Sequence, residues 1–99
     1  MIPPGAILPP FRGSMNRRRL LKRLSEGQLK NIAFGDMISM VEGFGFRLDR
    51  VSGSHHIFVH PAVPELVNLQ EVKGEAKPYQ IRQFLRLVER YNLKLEDEA

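Results

Sequence analysis

The sequence predicts an α+β fold arranged as a two-layer sandwich, and three observations lead there. Two segments, around residues 37–44 and 81–88, carry apolar side chains at helical spacing. Between them lie three short stretches of strand character. Those stretches are punctuated by Ser-Gly-Ser and by a run bounded by two prolines. Two helices must bury their stripes, and a three-stranded sheet offers one face to receive them.

Taken in order, residues 1–14 read as a leader outside the fold. Pro3, Pro4, Pro9 and Pro10 fix φ and remove backbone donors. Gly13-Ser14 directly before Met15 looks like a cloning remnant ahead of a native initiator methionine. A single domain is therefore expected over 15–99. A short helix is predicted from Asn16, with Leu20, Leu21 and Leu24 on one face and Gly27 as its stop. Arg17, Arg18, Arg19, Lys22 and Arg23 line its other face. Such a basic helix reads either as a contact to a polyanion or as a solvated surface. Residues 28–35 read as irregular or briefly extended. Asp36 is expected to cap the next helix, because its carboxylate can accept the orphan amide hydrogens of the first turn. Met37, Ile38, Met40, Val41 and Phe44 form the buried stripe, and Gly43 and Gly45 end the helix.

The first strand, 46–51, alternates, with Phe46 and Leu48 on one side and Arg47 and Asp49 on the other. The second, 55–60, follows a turn through Ser52-Gly53-Ser54. The third is expected from Leu66 to Leu69 or Gln70, after a loop from Pro61 to Pro64. A polar stretch, 71–78, leads to the last helix, with Pro78 suited to its first turn. Ile81, Phe84, Leu85 and Val88 form its apolar stripe, while Arg82, Arg86 and Arg90 follow at i, i+4, i+8 on another face. Glu96-Asp97-Glu98 reads as a frayed end.

Composition narrows the function classes. With 99 residues the chain has room for one core. The absence of cysteine excludes disulfides and thiolate metal sites, and it fits a reducing, cytoplasmic setting. No apolar run approaches the roughly 18–20 residues of a membrane span. The first ten residues lack the basic start of a signal peptide. A formal charge of +4 points towards a polyanionic partner.

All three histidines, His55, His56 and His60, fall within six residues. Histidine suits proton transfer at neutral pH. Along a strand His56 and His60 point one way and His55 the other. A shared metal ion fits poorly, because no Asp, Glu or Cys is interleaved, and no cofactor is implied. Histidines on a half-exposed strand are also commonly plain polar surface residues, and the residues alone leave that reading open. Alternation leaves two orientations as well. Phe58 inward sends His55, Ile57 and Val59 outward; Ile57 and Val59 inward would expose His56 and His60.

The stretch Phe44-Gly-Phe-Arg-Leu-Asp-Arg-Val-Ser-Gly-Ser-His-His-Ile-Phe-Val-His-Pro61 resembles the signature of HicA toxins: a helix, a Gly-Phe pair, an Arg-x-x-Gly-Ser-His turn, then an aromatic and His-Pro. The resemblance covers roughly residues 36–93. It implies an mRNA interferase with a double-stranded-RNA-binding-domain-like α-β-β-β-α fold, here with an extra N-terminal helix, restrained by a HicB antitoxin. It also implies the orientation with Phe58 inward. Carried over, the family's active histidine falls on His55 and its essential glycine on Gly53, with Ser54 and His56 supporting. A histidine there can take the proton of a ribose 2′-hydroxyl, which then attacks phosphorus. A glycine can adopt φ > 0 and admit RNA close to the backbone, although a plain hairpin glycine reads the same way. Arg50 of the same turn, with Lys73, Lys77, Arg82 and Arg86, is expected to bind the RNA backbone without reading sequence, although an exposed helix face with scattered basic residues reads the same way. The chain departs from the family pattern at Leu69-Gln70-Glu71, where a Val-Pro-x-His segment is usual. That departure leaves a second reading, an RNA-binding module that does not cut.

Overall fold

A computed structural model describes residues 16–96. The leader, 1–14, and the acidic Asp97-Glu98 lie outside the described residues. Helix α1, Arg17–Ser25, opens the fold, and Asn16 caps it by accepting the amides of Arg18 and Arg19. Its leucine face is used as expected: Leu20 and Leu24 are buried and Leu21 packs against the core. Arg17 Nε donates to Ser39 Oγ at 3.0 Å, tying α1 to the next helix.

Helix α2 runs Phe34–Gly43 and starts three residues earlier than a cap at Asp36 would set it. Its N-cap is Ala33, with no side-chain capping bond, so Asp36 lies in the first turn instead. The reason is tertiary. Phe34 is buried, and its amide donates to Gly74 O at 2.9 Å, so the start of α2 is fixed by a residue forty positions further along the chain. Asp36 still sits favourably at the positive end of the helix dipole. Met37, Met40, Val41 and Phe44 are buried, as the stripe predicts.

The sheet has four strands in the order β1-β2-β3-β4: β1 Arg47–Ser52, β2 His55–His60, β3 Val63–Val72 and β4 Glu75–Ala76. Neighbouring strands are antiparallel. Three features differ from expectation. In β1 the simple alternation fails, because Leu48 pairs with Phe58 while Arg50 pairs with Ile57, leaving Asp49 as the extra residue of a bulge. Strand β3 is longer than 66–70. Val63 is buried opposite His60, and the loop shrinks to Pro61-Ala62, closed by His60 Nδ1 accepting the Ala62 amide at 2.9 Å. The polar stretch after it holds the short β4, which buries Ala76 and bridges back to Ala33 through Glu75.

Helix α3, Pro78–Arg90, has Pro78 in its first turn as expected and buries Ile81 and Phe84. Phe84 meets Phe44 and Phe46 edge-on, joining α3, the end of α2 and the start of β1. Glu65 on β3 accepts from the Tyr91 hydroxyl at 2.6 Å and from Arg90 at 2.9 Å. The tyrosine bond, with help from Arg90, holds the Glu65 carboxyl below its ordinary range, and the same carboxylate pushes the Tyr91 phenol up. Glu96 is anchored rather than frayed: its amide donates to Gly43 O at 2.6 Å.

Candidate active site on the open sheet face

Strand β2 divides its side chains between two environments. Phe58 is fully buried, His56 meets Phe34 edge-on at 4.9 Å between ring centroids, and His60 meets Phe46 at 4.9 Å. His55, Ile57 and Val59 therefore point to the opposite face, and all three are half-buried. The buried side chains of the helices, Met37, Met40, Ile81 and Phe84 among them, cluster with Phe58 on its own side of the strand.

His55 is flanked in register by Ser52 on β1 and Gln70 on β3. Its Nδ1 lies 3.2 Å from Asn68 Oδ1. With the amide oxygen as acceptor, Nδ1 carries the ring hydrogen, and Nε2 keeps a lone pair free to accept a proton. The same bond survives when the ring is protonated, since both nitrogens then donate. This is the arrangement a general base needs: an orienting partner behind it and an unengaged nitrogen in front.

The turn that delivers His55 depends on Gly53, whose φ is +62°. A two-residue hairpin with positive φ at its first central position favours glycine there. A Cβ at Gly53 would meet no atom within 4 Å, so the requirement is backbone conformation and the space above it is open. Ser54 is exposed at the second turn position, and its carbonyl accepts the Glu71 amide at 3.2 Å.

The other expected residues are dispersed. Arg50 lies opposite Ile57, hence on the His55 face, paired with Asp49 at 2.6 Å. Lys73 and Lys77 line one cleft at the start of α3 with Val72, Glu75, Ala76 and Pro78, and Lys77 sits 5.8 Å over the Tyr79 ring. Arg86 lines a different cleft, between β3 and α3, with Glu65, Leu66, Gln83, Leu87 and Arg90, while Arg82 is exposed on the helix. His56 sits on the core side of the strand, and its Nδ1 is buried without a hydrogen-bond partner.

Sequence reasoning missed Asn68 and Gln80. Asn68 reaches His55 only because β2 and β3 pair with Ile57 opposite Asn68, a register no short-range pattern encodes. Gln80 is the one buried polar residue among those described, and its Oε1 accepts the Gln70 amide at 2.7 Å, directly across from His55. An isolated glutamine between Tyr79 and Ile81 on the buried side of α3 was the available signal.

The model of the HicA toxin of bacterial toxin–antitoxin systems matches residues 34–89, more than half of the chain. The protein belongs to the HicA toxin family. Its α-β-β-β-α core is the layout of that family, with α1 added ahead of the matched residues. No curated protein matches the chain. As a member of a toxin–antitoxin family, this HicA protein has an antitoxin partner. Among the described residues no helix is long and apolar enough to cross a membrane, and no group of three or more His, Cys, Asp or Glu residues is placed to hold a metal ion.

Proposed function

We propose that this HicA protein is a cytoplasmic endoribonuclease, an mRNA interferase, with His55 as its acid/base residue. The observation that carries the reading is the His55 Nδ1–Asn68 Oδ1 contact on an uncovered sheet face, which leaves Nε2 available. Nε2 removes the proton of a ribose 2′-hydroxyl as O2′ attacks the adjacent phosphorus. The P–O5′ bond breaks, and the 5′-oxygen takes up a proton from His55 or from water. The products are a 2′,3′-cyclic phosphate and a 5′-hydroxyl. Gly53 and Ser54 shape the turn beside the reacting phosphate, and His56 supports the strand from the core side. Arg50, Lys73, Lys77, Arg82 and Arg86 hold the RNA backbone. A HicB-like antitoxin restrains the enzyme by covering this face, where it would also bury Ile57 and Val59.

Purified protein incubated with single-stranded RNA is expected to yield cyclic-phosphate ends, in EDTA as in magnesium, because proton transfer by imidazole needs no metal. RNA that is shifted on a gel yet never cut would replace this reading with that of a binding module. Crosslinks to a co-expressed antitoxin are expected at β2; crosslinks confined to the helical face would contradict the mode of restraint.

A further inference from the structure

The bulge at Asp49 changes what the open face can hold. Without it, alternation would put Arg47 and Asp49 together and send Arg50 to the side of Phe46 and Leu48. The extra residue instead brings both arginines to the His55 face: Arg47 opposite Val59 and Arg50 opposite Ile57, with Ser52 opposite His55. Each step between these paired rows is two residues of β2, about 6.8 Å at strand rise. Two cations and one imidazole thus stand in a row along one hairpin. Beside the cations run Ile57 and Val59, half-buried apolar side chains on the face opposite the buried Phe58.

We propose that this face of the β1–β2 hairpin is a track for single-stranded RNA. Arg50 and Arg47 hold successive phosphates, Ile57 and Val59 receive the bases, and His55 stands at the end of the row. The proposal deepens the nuclease reading by naming the form of its substrate. A row of charges at strand spacing along two extended strands suits an extended chain. Duplex RNA is instead recognised by shape across its grooves, which a single row of cations beside an apolar floor does not span. Apolar and aromatic floors flanked by basic residues are how unpaired strands are held. Asp49 keeps the Arg50 guanidinium ordered in the free protein. Their pairing is exposed, so a phosphate can take the place of the carboxylate readily.

The test is binding, which does not need cleavage. The His55→Ala protein is titrated into a fluorescein-labelled 12-nucleotide RNA and, separately, its 12-base-pair duplex. The single strand is expected to bind several-fold tighter. Arg47→Ala and Arg50→Ala are each expected to weaken it about three- to tenfold and to lower the slope of log K against log salt by about 0.7, one phosphate of a single strand. Arg50→Lys should recover part of the loss, which separates charge from fold. Ile57→Ser and Val59→Ser should weaken binding without changing the salt slope. Unchanged binding in both arginine variants, or tighter binding of the duplex, overturns the proposal. Arginine-dependent binding with no cleavage by the parent protein leaves the track standing and removes the nuclease reading. Cleavage that ignores both arginines does the reverse.

Discussion

On one face of β2 stand the half-buried His55, Ile57 and Val59; on the other, His56, Phe58 and His60 meet Phe34, the core and Phe46. Residue type is nearly matched between the two, two histidines and an aromatic against one histidine and two aliphatics. What differs is what each histidine nitrogen can reach. His60 Nδ1 is spent on the Ala62 amide and His56 Nδ1 is buried without a partner, whereas His55 has one nitrogen oriented and the other free. Adjacent identical residues thus divide into a packing role and a chemical one by strand parity alone.

The sharpest way to break this comparison is to truncate one side chain on each face. His55→Ala is expected to lower RNA cleavage by about 10²–10⁴-fold, the usual worth of a positioned acid or base. It should cost only about 1 kcal/mol of stability, the net worth of the hydrogen bond to Asn68. Phe58→Ala should do the opposite, costing about 3–5 kcal/mol by the cavity it leaves. Urea denaturation and initial cleavage rates measure both. If His55→Ala unfolds the protein, or stays fully active, the division of faces is wrong.

Asn68→Ala sharpens the comparison from the side of the orienting partner. Losing one net hydrogen bond is expected to slow cleavage about three- to tenfold, with RNA affinity unchanged. His56→Phe probes the core face more gently. It keeps a ring against Phe34 and removes the unpartnered buried nitrogen, so stability is expected to hold or rise by about 1 kcal/mol, with cleavage retained.

The smallest effect is a pH dependence far from His55. The Glu65 carboxyl is lowered in the folded state from its ordinary 4.5 by the Tyr91 bond and Arg90. A depressed folded-state value stabilises fully above the unfolded value, and the contribution fades as pH falls through the folded one. The Tyr91 phenol is raised, so its share is complete below its ordinary 10.0 and is lost as pH climbs through the folded value. Glu65→Gln should flatten the acid limb of the melting-temperature profile relative to the parent. An unchanged limb would assign that limb to other groups.

Much of the molecule was legible in residue patterns because it depends on local periodicity. Leu20 and Leu24, Met37, Met40 and Val41, and Ile81 with Phe84 are buried as their spacing requires. The second strand has its expected bounds, set by a glycine turn and a proline. What escaped was set by partners distant in sequence. Ala33 starts α2 because Gly74 and Glu75 are beside it, not because Asp36 can cap. The bulge at Asp49 exists because Leu48 and Arg50 must each pair with consecutive residues of β2. The site divides the same way. His55 and Gly53 stand out in the chain itself; Asn68 becomes visible only once β3 is laid beside β2.

Gly43, the last residue of α2, has one further consequence. A methyl group there would stand 2.8 Å from Leu95 Cδ1 and 3.0 Å from Arg17 Cδ. Residues separated by 78 positions of chain thus converge on one missing side chain, and the Glu96 amide seals the junction at the Gly43 carbonyl. In space the described residues, 16–96, come close to a ring, clasped at Gly43. The exposed Gly53-Ser54 turn lies elsewhere on that ring, beside the proposed chemistry, so splicing residue 96 to residue 16 and opening the ring at another surface turn reorders the chain while leaving the hairpin and its histidine whole.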